Sequence, residues 1–191
     1  DDNLKHLRPW VAGWSVYEVQ KRYPHIIIMP QCPAGQQWVN TPWRDGSYDF
    51  NEVRLSSPLR LSKEMLDTVC NDFSVDMSRI YVMGASMGGY GSWNFIMHYP
   101  DLIAGGVAIC GAGDPNMAEK IAEIPIWAFH GENDNVVPPS GSIEMVKSLR
   151  AAGAENVRFT IYEDVYHGAA KYAWQESRLI NWLFSQKRMK R

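Results

Sequence analysis

Several features that would assign a protein class at once are missing from the 191-residue sequence. The 21 acidic and 19 basic residues nearly cancel to a net charge of -2, so there is no basic field to hold nucleic acid or an anionic membrane. No apolar run is long enough to cross a bilayer.

Three cysteines, Cys32, Cys70 and Cys110, are too few for a disulfide scaffold. Three buried thiols are the favoured interpretation, and one disulfide stays open.

Metal-ligand spacing is also absent from the sequence. His130 and Asp134 stand four residues apart on a predicted loop, with no third ligand near them in the sequence. We therefore expect neither a metal nor any other cofactor.

The composition that is present indicates one globular domain. Hydrophobic residues make up 46% of the chain and aromatic residues 12%, enough to build a core. The sequence shows no signal peptide and begins at Asp1 rather than methionine. We expect further residues before Asp1 in the whole protein, and a secreted and a cytoplasmic location both stay open, as does the oligomeric state.

Strand-like and helix-like segments alternate along the chain. Short runs rich in β-branched residues predict strands at 26–30, 79–84, 103–110, 124–131 and 157–162. Helices are predicted at 58–73, 87–98, 140–152 and 171–185. The alternation is typical of an α/β fold with a mostly parallel sheet covered by helices on both faces.

The helix at 58–73 has a clear start signal. Ser57 is expected to be its N-cap, with Pro58 at the first helical position. A spacing of four predicts that one buried face is formed by Leu61, Met65, Val69 and Phe73.

One serine lies in a stretch crowded with small residues, "YVMGASMGGYG" at 81–91. Within it, residues 84–88 read G-x-S-x-G between a predicted strand and a predicted helix, which is the context of a nucleophile elbow. Gly84 and Gly88 are expected to let neighbouring backbone pass closely. Ser86 is therefore the candidate nucleophile, and the amide of Met87, at the helix N-terminus, is a candidate oxyanion donor.

A serine nucleophile needs a histidine base, which in this fold type follows the acid in the chain. His6, His25 and His98 stand outside the required order or position, and His130 is expected to shape the turn that follows its strand. His167 lies between the last strand and the last helix, from where a loop can carry its imidazole over the carboxyl edge of the sheet.

The candidates for the acid are Asp114, Glu132, Asp134, Glu163 and Asp164. Asp164 is too near His167 in sequence to face its Nδ1 easily. Asp134 follows the strand 124–131 and leaves room for the strand ends to converge on Ser86 and His167. Asp114 is the runner-up, with a helix N-cap before Pro115 as the simpler interpretation.

Most of the chain resembles an α/β-hydrolase of the phospholipase/carboxylesterase-like group, which includes feruloyl-esterase-like and polyhydroxybutyrate-depolymerase-like enzymes. The resemblance implies Ser86 as nucleophile, Asp134 as acid, His167 as base, the Met87 amide in the oxyanion hole, and Trp38 near the substrate. It rests on the segments "PQCPAGQQW", "DMSRIYVMGASMGGYGSW", "YPDLIAGGVAICG", "IPIWAFHGENDNVVP" and "YHGAAKYAW".

The sequence departs from the family at its front end. The family carries a His-Gly-x-Gly-like stretch, which supplies a second oxyanion amide, just ahead of the part that matches residues 1–3. We therefore expect an N-terminally incomplete domain whose first strands and second amide lie before Asp1.

The resemblance implies a serine carboxylesterase for short-chain or aryl esters, such as acetyl or feruloyl groups on carbohydrates. The absence of a long insertion between Gly111 and Pro125 argues against bulky lipids. A serine peptidase and a non-catalytic binding protein of the same fold are the alternatives.

Overall fold

The structure is a computed structural model that describes residues 13–188, so His6 lies outside the described residues. Four strands form its central sheet: β1 Tyr81–Ala85, β2 Gly105–Ile109, β3 Ile126–Gly131 and β4 Val157–Tyr162. Their order is β1-β2-β3-β4, and every neighbouring pair is parallel. The predicted parallel α/β architecture is confirmed.

Besides the helical residues 13–15, seven helices accompany the sheet in the described part of the chain. They are α1 Tyr17–Arg22, α2 Ser57–Asp72, α3 Met87–His98, α4 Ala118–Ile121, α5 Ser140–Ala151, α6 Ala169–Ala173 and α7 Leu179–Ser185. Short 3₁₀ turns lie at Trp43–Asp45 and Pro115–Met117. None of the described helices is both long and apolar enough to span a membrane.

The sheet is buried on both faces. Along β3, Ile126 and Ala128 join a core that includes residues of α3 and α5, while Trp127 and Phe129 join a second core with residues of α6 and α7. Successive side chains of a strand point to opposite faces, so a strand covered on both sides has an almost continuous apolar sequence. This is why "IPIWAF" shows no polar alternation.

The parallel register gathers three chain segments at one edge of the sheet. Ala85 at the end of β1 pairs with Ile109, and Gly131 at the end of β3 pairs with Tyr162 at the end of β4. Segments that follow these strands therefore emerge side by side, where open α/β sheets bind ligands.

The strand predicted at 26–30 is wrong. These residues run without a hydrogen-bonded strand partner, and the side chains of Ile26 and Ile27 are 53% and 38% exposed. A cleft separates them from β1, which pairs on one side only within the described residues. A β-branched run favours extended backbone, but a strand also needs a partner at hydrogen-bonding distance.

Helix α2 starts one residue early and buries a different face from the one predicted. Its N-cap is Ser56, whose Oγ accepts from the Leu59 amide at 3.3 Å, and not Ser57. Leu59 is buried and Leu66 packs against the core, while the predicted face is largely in solvent: Leu61, Met65 and Phe73 are all exposed. A spacing of four drifts around a helix of 3.6 residues per turn, so it does not define one face over four turns.

The bounds of the other helices and strands lie closer to the predicted ones, except at the end of the chain. Helix α3 has the predicted bounds, and β4 does too. The single helix predicted at 171–185 is instead the two helices α6 and α7, separated by residues 174–178. In that connection Glu176 accepts hydrogen bonds from the backbone amide and the guanidinium of Arg178, which stabilises a turn in place of a continued helix.

Candidate active site

Ser86 occupies a strained turn between β1 and α3. Its φ of 56° and ψ of -119° lie in a region that residues with a side chain rarely adopt. The Ser86 amide donates to the Ile109 carbonyl at 2.8 Å, and the Ser86 carbonyl accepts from the Gly89 amide at 2.8 Å. The turn is therefore anchored on both sides, which keeps the hydroxyl of Ser86 outside the end of the sheet.

Two glycines make this turn sterically possible. A Cβ on Gly84 would lie 2.3 Å from the Gly88 carbonyl oxygen, and one on Gly89 would lie 2.4 Å from the Ile109 carbonyl oxygen. The expectation for Gly88 is wrong, because a Cβ there would meet nothing within 4 Å. The close backbone approach falls instead on Gly84 and Gly89.

His167 and Asp134 meet Ser86 in an unbroken chain of contacts. The Oγ of Ser86 lies 2.7 Å from Nε2 of His167, and Nδ1 of the same ring lies 2.7 Å from Oδ2 of Asp134. The Asp134 carboxylate is fully buried, whereas the His167 side chain is 26% exposed. Among the predicted candidates, the structure brings these three together.

The Asp134 carboxylate is held on both oxygens. Oδ1 accepts from the amides of Val136 at 2.9 Å and Val137 at 3.0 Å, while Oδ2 faces His167. Burial alone would raise the pKa of Asp134, but these amides and the imidazole outweigh it and hold the pKa below its usual range. An ionised Asp134 accepts the Nδ1–H of His167, so Nε2 faces Ser86 as a proton acceptor.

The loops that carry Asp134 and His167 are joined by backbone hydrogen bonds. The Asn133 amide donates to the Val165 carbonyl at 3.0 Å, and the Glu132 amide donates to the Tyr162 carbonyl at 2.9 Å. A Cβ on Gly131 would lie 2.3 Å from the carbonyl oxygen of Val165, so only glycine allows this approach. The loops position Asp134 against His167 before any substrate arrives.

The other acid candidate lies apart from this chain of contacts. Asp114 is the N-cap of the turn Pro115–Met117, where Oδ1 accepts from the Asn116 amide and Oδ2 from the Phe50 amide, both at 2.9 Å. This agrees with the N-cap interpretation. Oδ1 thus caps the turn within the β2–α4 connection, and Oδ2 joins that connection to Phe50.

Two buried groups behind Asp134 were not assigned a role in the site from the sequence. His130 is fully buried, with Nε2 lying 3.4 Å from Oδ2 of Asp134, and the Cys110 thiol lies beside the same carboxylate. Their side-chain position depends on tertiary packing, and the only sequence signal was that each residue ends a predicted strand.

The structure places a third possible metal donor, Cys110, beside His130 and Asp134, and the sequence did not reveal it. Their donor atoms lie within 4.8 Å of one another. However, Asp134 is already engaged by His167 and two amides, and burial together with the Asp134 charge raises the pKa of the Cys110 thiol to about 12. A neutral thiol and a committed carboxylate are poor ligands at neutral pH.

A cleft of about 1360 Å³ opens beside the turn that carries Ser86. Ser86, Met87 and Trp38 all line it, together with residues 24–32. Trp38 packs against α3, where a Cβ on Gly91 would come within 3.0 Å of it. The amide of Met87 lies in the first turn of α3, at the positive end of the helix dipole.

The three cysteines are free thiols, which answers the question that the sequence left open. Cys110 is buried as expected, whereas Cys32 and Cys70 are half-buried.

Comparison with known proteins gives consistent results. A model of the dienelactone hydrolase family matches residues 53–178. Acetylxylan esterase A of Emericella nidulans is 27% identical over 107 residues, which cover 53% of this chain and 32% of that protein.

Solved structures extend the likeness to most of the chain. A thermostable esterase superposes with a TM-score of 0.82 at 34% identity, covering 92% of this chain and 48% of that one. A variant of SOBER1 from Arabidopsis thaliana superposes with a TM-score of 0.58 at 16% identity, covering 77% of this chain and 73% of that one, and is similar in fold alone. The chain thus spans about half of the esterase structure and about a third of the acetylxylan esterase.

Proposed function

The chain belongs to the dienelactone hydrolase family and has the α/β-hydrolase fold, and from that premise we propose that it is a serine carboxylesterase. Its substrates are short-chain or aryl carboxylic esters, which it hydrolyses through an acyl-enzyme on Ser86. The site residues are Ser86 as nucleophile, His167 as base and Asp134 as acid.

One observation carries this proposal: the continuous chain of two 2.7 Å contacts from Ser86 through His167 to a buried, ionised Asp134. A serine hydroxyl is a weak nucleophile unless a base takes its proton as it attacks. The base must in turn be oriented, and Asp134 does this by accepting the Nδ1–H of His167.

The acylation half of the reaction begins when Oγ of Ser86 attacks the ester carbonyl carbon and transfers its proton to Nε2 of His167. Negative charge then develops on the former carbonyl oxygen, where the Met87 amide donates to it. The carbon–oxygen bond to the alcohol breaks, and the imidazolium returns its proton to the leaving alkoxide. The products of this half are a free alcohol and an ester of Ser86.

Deacylation repeats the same steps with water. The His167 side chain is 26% exposed, so the imidazole is in reach of water, and Nε2 takes a proton as the water oxygen attacks the acyl carbon. The bond to Oγ of Ser86 breaks, the proton returns to Oγ, and a carboxylic acid leaves. No redox step or added cofactor enters this balance.

Two features favour small acyl groups, and a third favours aryl esters. The connection between β2 and β3 holds only a 3₁₀ turn and the short helix α4, with Ala118 and Ile121 buried in the core, and therefore forms no lid over Ser86. The similar protein of Emericella nidulans is named as an acetylxylan esterase, which favours acetyl esters of carbohydrates. Trp38 offers an aromatic wall for aryl esters.

A panel of p-nitrophenyl esters of increasing chain length, acetylated xylan and hydroxycinnamate esters tests this proposal. We expect turnover of the short and aryl esters, and a fall in kcat of about 10⁴–10⁶ in Ser86→Ala. The matched control is Ser185→Ala, which removes a serine hydroxyl that donates to the Trp182 carbonyl in α7 and does not line the cleft.

Equal activity of Ser86→Ala and the parent protein would remove Ser86 from the mechanism. Cleavage of peptide substrates faster than esters would favour the serine peptidase. A folded protein that turns over neither would indicate the non-catalytic binding protein.

A further inference from the structure

The catalytic acid has a second serine–histidine pair on its far side. Behind Asp134, His130 Nε2 lies 3.4 Å from Oδ2, and His130 Nδ1 lies 2.7 Å from the hydroxyl oxygen of Ser142 in α5. On its other side, the Asp134 carboxylate contacts His167, which in turn contacts the Ser86 hydroxyl. Five side chains therefore form one continuous path, with Asp134 in the middle.

The second pair differs from the first in its burial. His130 and Ser142 are both 0% exposed, and neither lines the cleft beside Ser86. The pair therefore has no access to substrate. What it can do is act on Asp134.

The neighbours of His130 fix which ring nitrogen holds the proton. Nε2 faces two acceptors that cannot donate, the Val137 carbonyl oxygen at 3.1 Å and the Asp134 carboxylate. Burial lowers the pKa of His130, although these two acceptors oppose that effect, so the ring is neutral at pH 7 and carries a single N–H. That hydrogen belongs on Nε2, and Nδ1 is left as an acceptor.

Ser142 completes the arrangement by donating to Nδ1. Its Oγ lies 2.7 Å from Nδ1 and 2.9 Å from the Gly111 carbonyl oxygen, so its single hydrogen has two possible acceptors. In the Nε2–H tautomer Nδ1 has no hydrogen of its own, so the contact with Nδ1 requires Ser142 to donate there. A buried nitrogen lone pair without a donor would carry a desolvation cost, so Ser142 stabilises the Nε2–H tautomer. Ser142 thereby controls what His130 presents to Asp134.

We propose that His130, with its tautomer fixed by Ser142, is a positioning residue that donates its Nε2–H toward the Asp134 carboxylate and the Val137 carbonyl, and so holds the acid in register with His167. This inference rests on the proposed esterase function. It assigns His130 a role beyond the shape of its turn and gives Ser142 a role that the sequence did not suggest.

Two further titratable groups on other elements interact with the charge of the Asp134 carboxylate, and neither competes for this role. The Cys110 thiol follows β2, and burial raises its pKa to about 12. Tyr90 belongs to α3, and burial raises its pKa to about 12 as well. Both groups stay neutral over the pH range in which an esterase works. The position of the hydrogen on His130 therefore determines the electric field that acts on the Asp134 carboxylate from this side.

The first test reads the tautomer without relying on turnover. In ¹⁵N-histidine-labelled protein at neutral pH, long-range ¹H–¹⁵N correlation spectra distinguish the two tautomers and the imidazolium. We expect a neutral His130 with its hydrogen on Nε2, and a changed Nδ1 shift in Ser142→Ala. An Nδ1–H tautomer or an imidazolium in the parent protein would overturn the proposal, even if the protein hydrolyses no ester.

The second test compares His130→Leu with His130→Gln, whose amide nitrogen can replace the Nε2–H donor. We expect kcat to fall by about 10- to 100-fold in the leucine variant with KM nearly unchanged, since small displacements of supporting groups have effects of this size. The glutamine variant should recover most of the loss. In the leucine variant the acidic limb of the kcat/KM pH profile should move to higher pH, because the carboxylate then presents more of its charge to His167.

A control separates positioning from loss of stability. Asn94→Ala removes a side chain that is equally buried, whose Nδ2 donates to the Tyr48 hydroxyl at 2.8 Å, and should lower stability without moving the pH profile. The proposal is wrong if His130→Leu keeps the parent kcat, or if its losses match those of Asn94→Ala with an unmoved profile. Failure of the parent protein to cleave any ester would instead count against the proposed function.

Discussion

Replacing Asp134 by asparagine should disable the site while leaving its shape intact. The two amides of Val136 and Val137 donate to Oδ1, so the single oxygen of the new amide group will take that position. Its NH₂ group then stands where Oδ2 lies, 2.7 Å from Nδ1 of His167. A donor at that place requires Nδ1 to accept, which moves the imidazole hydrogen to Nε2.

The magnitude follows from this change of tautomer. With Nε2–H facing the Ser86 hydroxyl at 2.7 Å, the base no longer has a lone pair to take the serine proton. The same exchange in serine proteases lowers kcat by about 10⁴, which corresponds to about 5.4 kcal/mol of transition-state stabilisation. KM should change little, because Asp134 does not line the cleft.

The assay is steady-state hydrolysis of p-nitrophenyl acetate, with Asp114→Asn as the matched control. Both oxygens of Asp114 accept backbone amides, so its asparagine variant leaves one donor facing another and should lose about 1–3 kcal/mol of stability while keeping kcat. The opposite ranking, with Asp114→Asn inactive and Asp134→Asn active, would refute the assignment of the acid. A parent-like kcat in Asp134→Asn would refute the tautomer argument itself.

Three further predictions follow from named contacts. Gly84→Ala should lower the unfolding free energy by about 1–3 kcal/mol in urea titrations and reduce kcat, since its Cβ would press on backbone 2.3 Å away, whereas Gly153→Ala would strain only a surface turn. Trp38→Ala should raise KM for aryl esters by about 2- to 10-fold and leave acetyl esters less affected, as expected for loss of one aromatic contact. The native pKa of Asp134 lies below its ordinary value of 3.8, so the ionised carboxylate stabilises the fold above that pH, and this stabilisation is lost as the pH falls through the native pKa. The unfolding free energy of the parent protein should therefore decline more steeply below pH 3.8 than that of Asp134→Asn.

The sequence predicted which segments meet around Ser86, because the turn and the sheet topology constrain them together. A strand, a tight turn and a helix around Ser86 leave few alternatives, and the carboxyl ends of parallel strands bring the segments of Asp134 and His167 to the same edge. The loops bearing Asp134 and His167 could therefore be placed without knowledge of side-chain packing.

Packing decided what the sequence did not predict. Residues 26–30 have strand composition yet lack a strand partner, because pairing depends on what lies beside β1 and not on local propensity. The buried face of α2 depends on which side meets the core. The contact between His130 and Asp134 joins the end of β3 to the loop that follows it. Only the fold shows that Ser142 contacts the other nitrogen of the His130 ring.

The central claim, that His167 activates Ser86 as a nucleophile, is tested most directly by a fluorophosphonate probe followed by peptide mass spectrometry. The account predicts one adduct, on the peptide that contains Ser86, in the folded parent protein, and a strongly reduced labelling rate in His167→Gln, because a serine hydroxyl without its base reacts slowly. An adduct on a different residue, or equal labelling rates in the parent and His167→Gln, would contradict it.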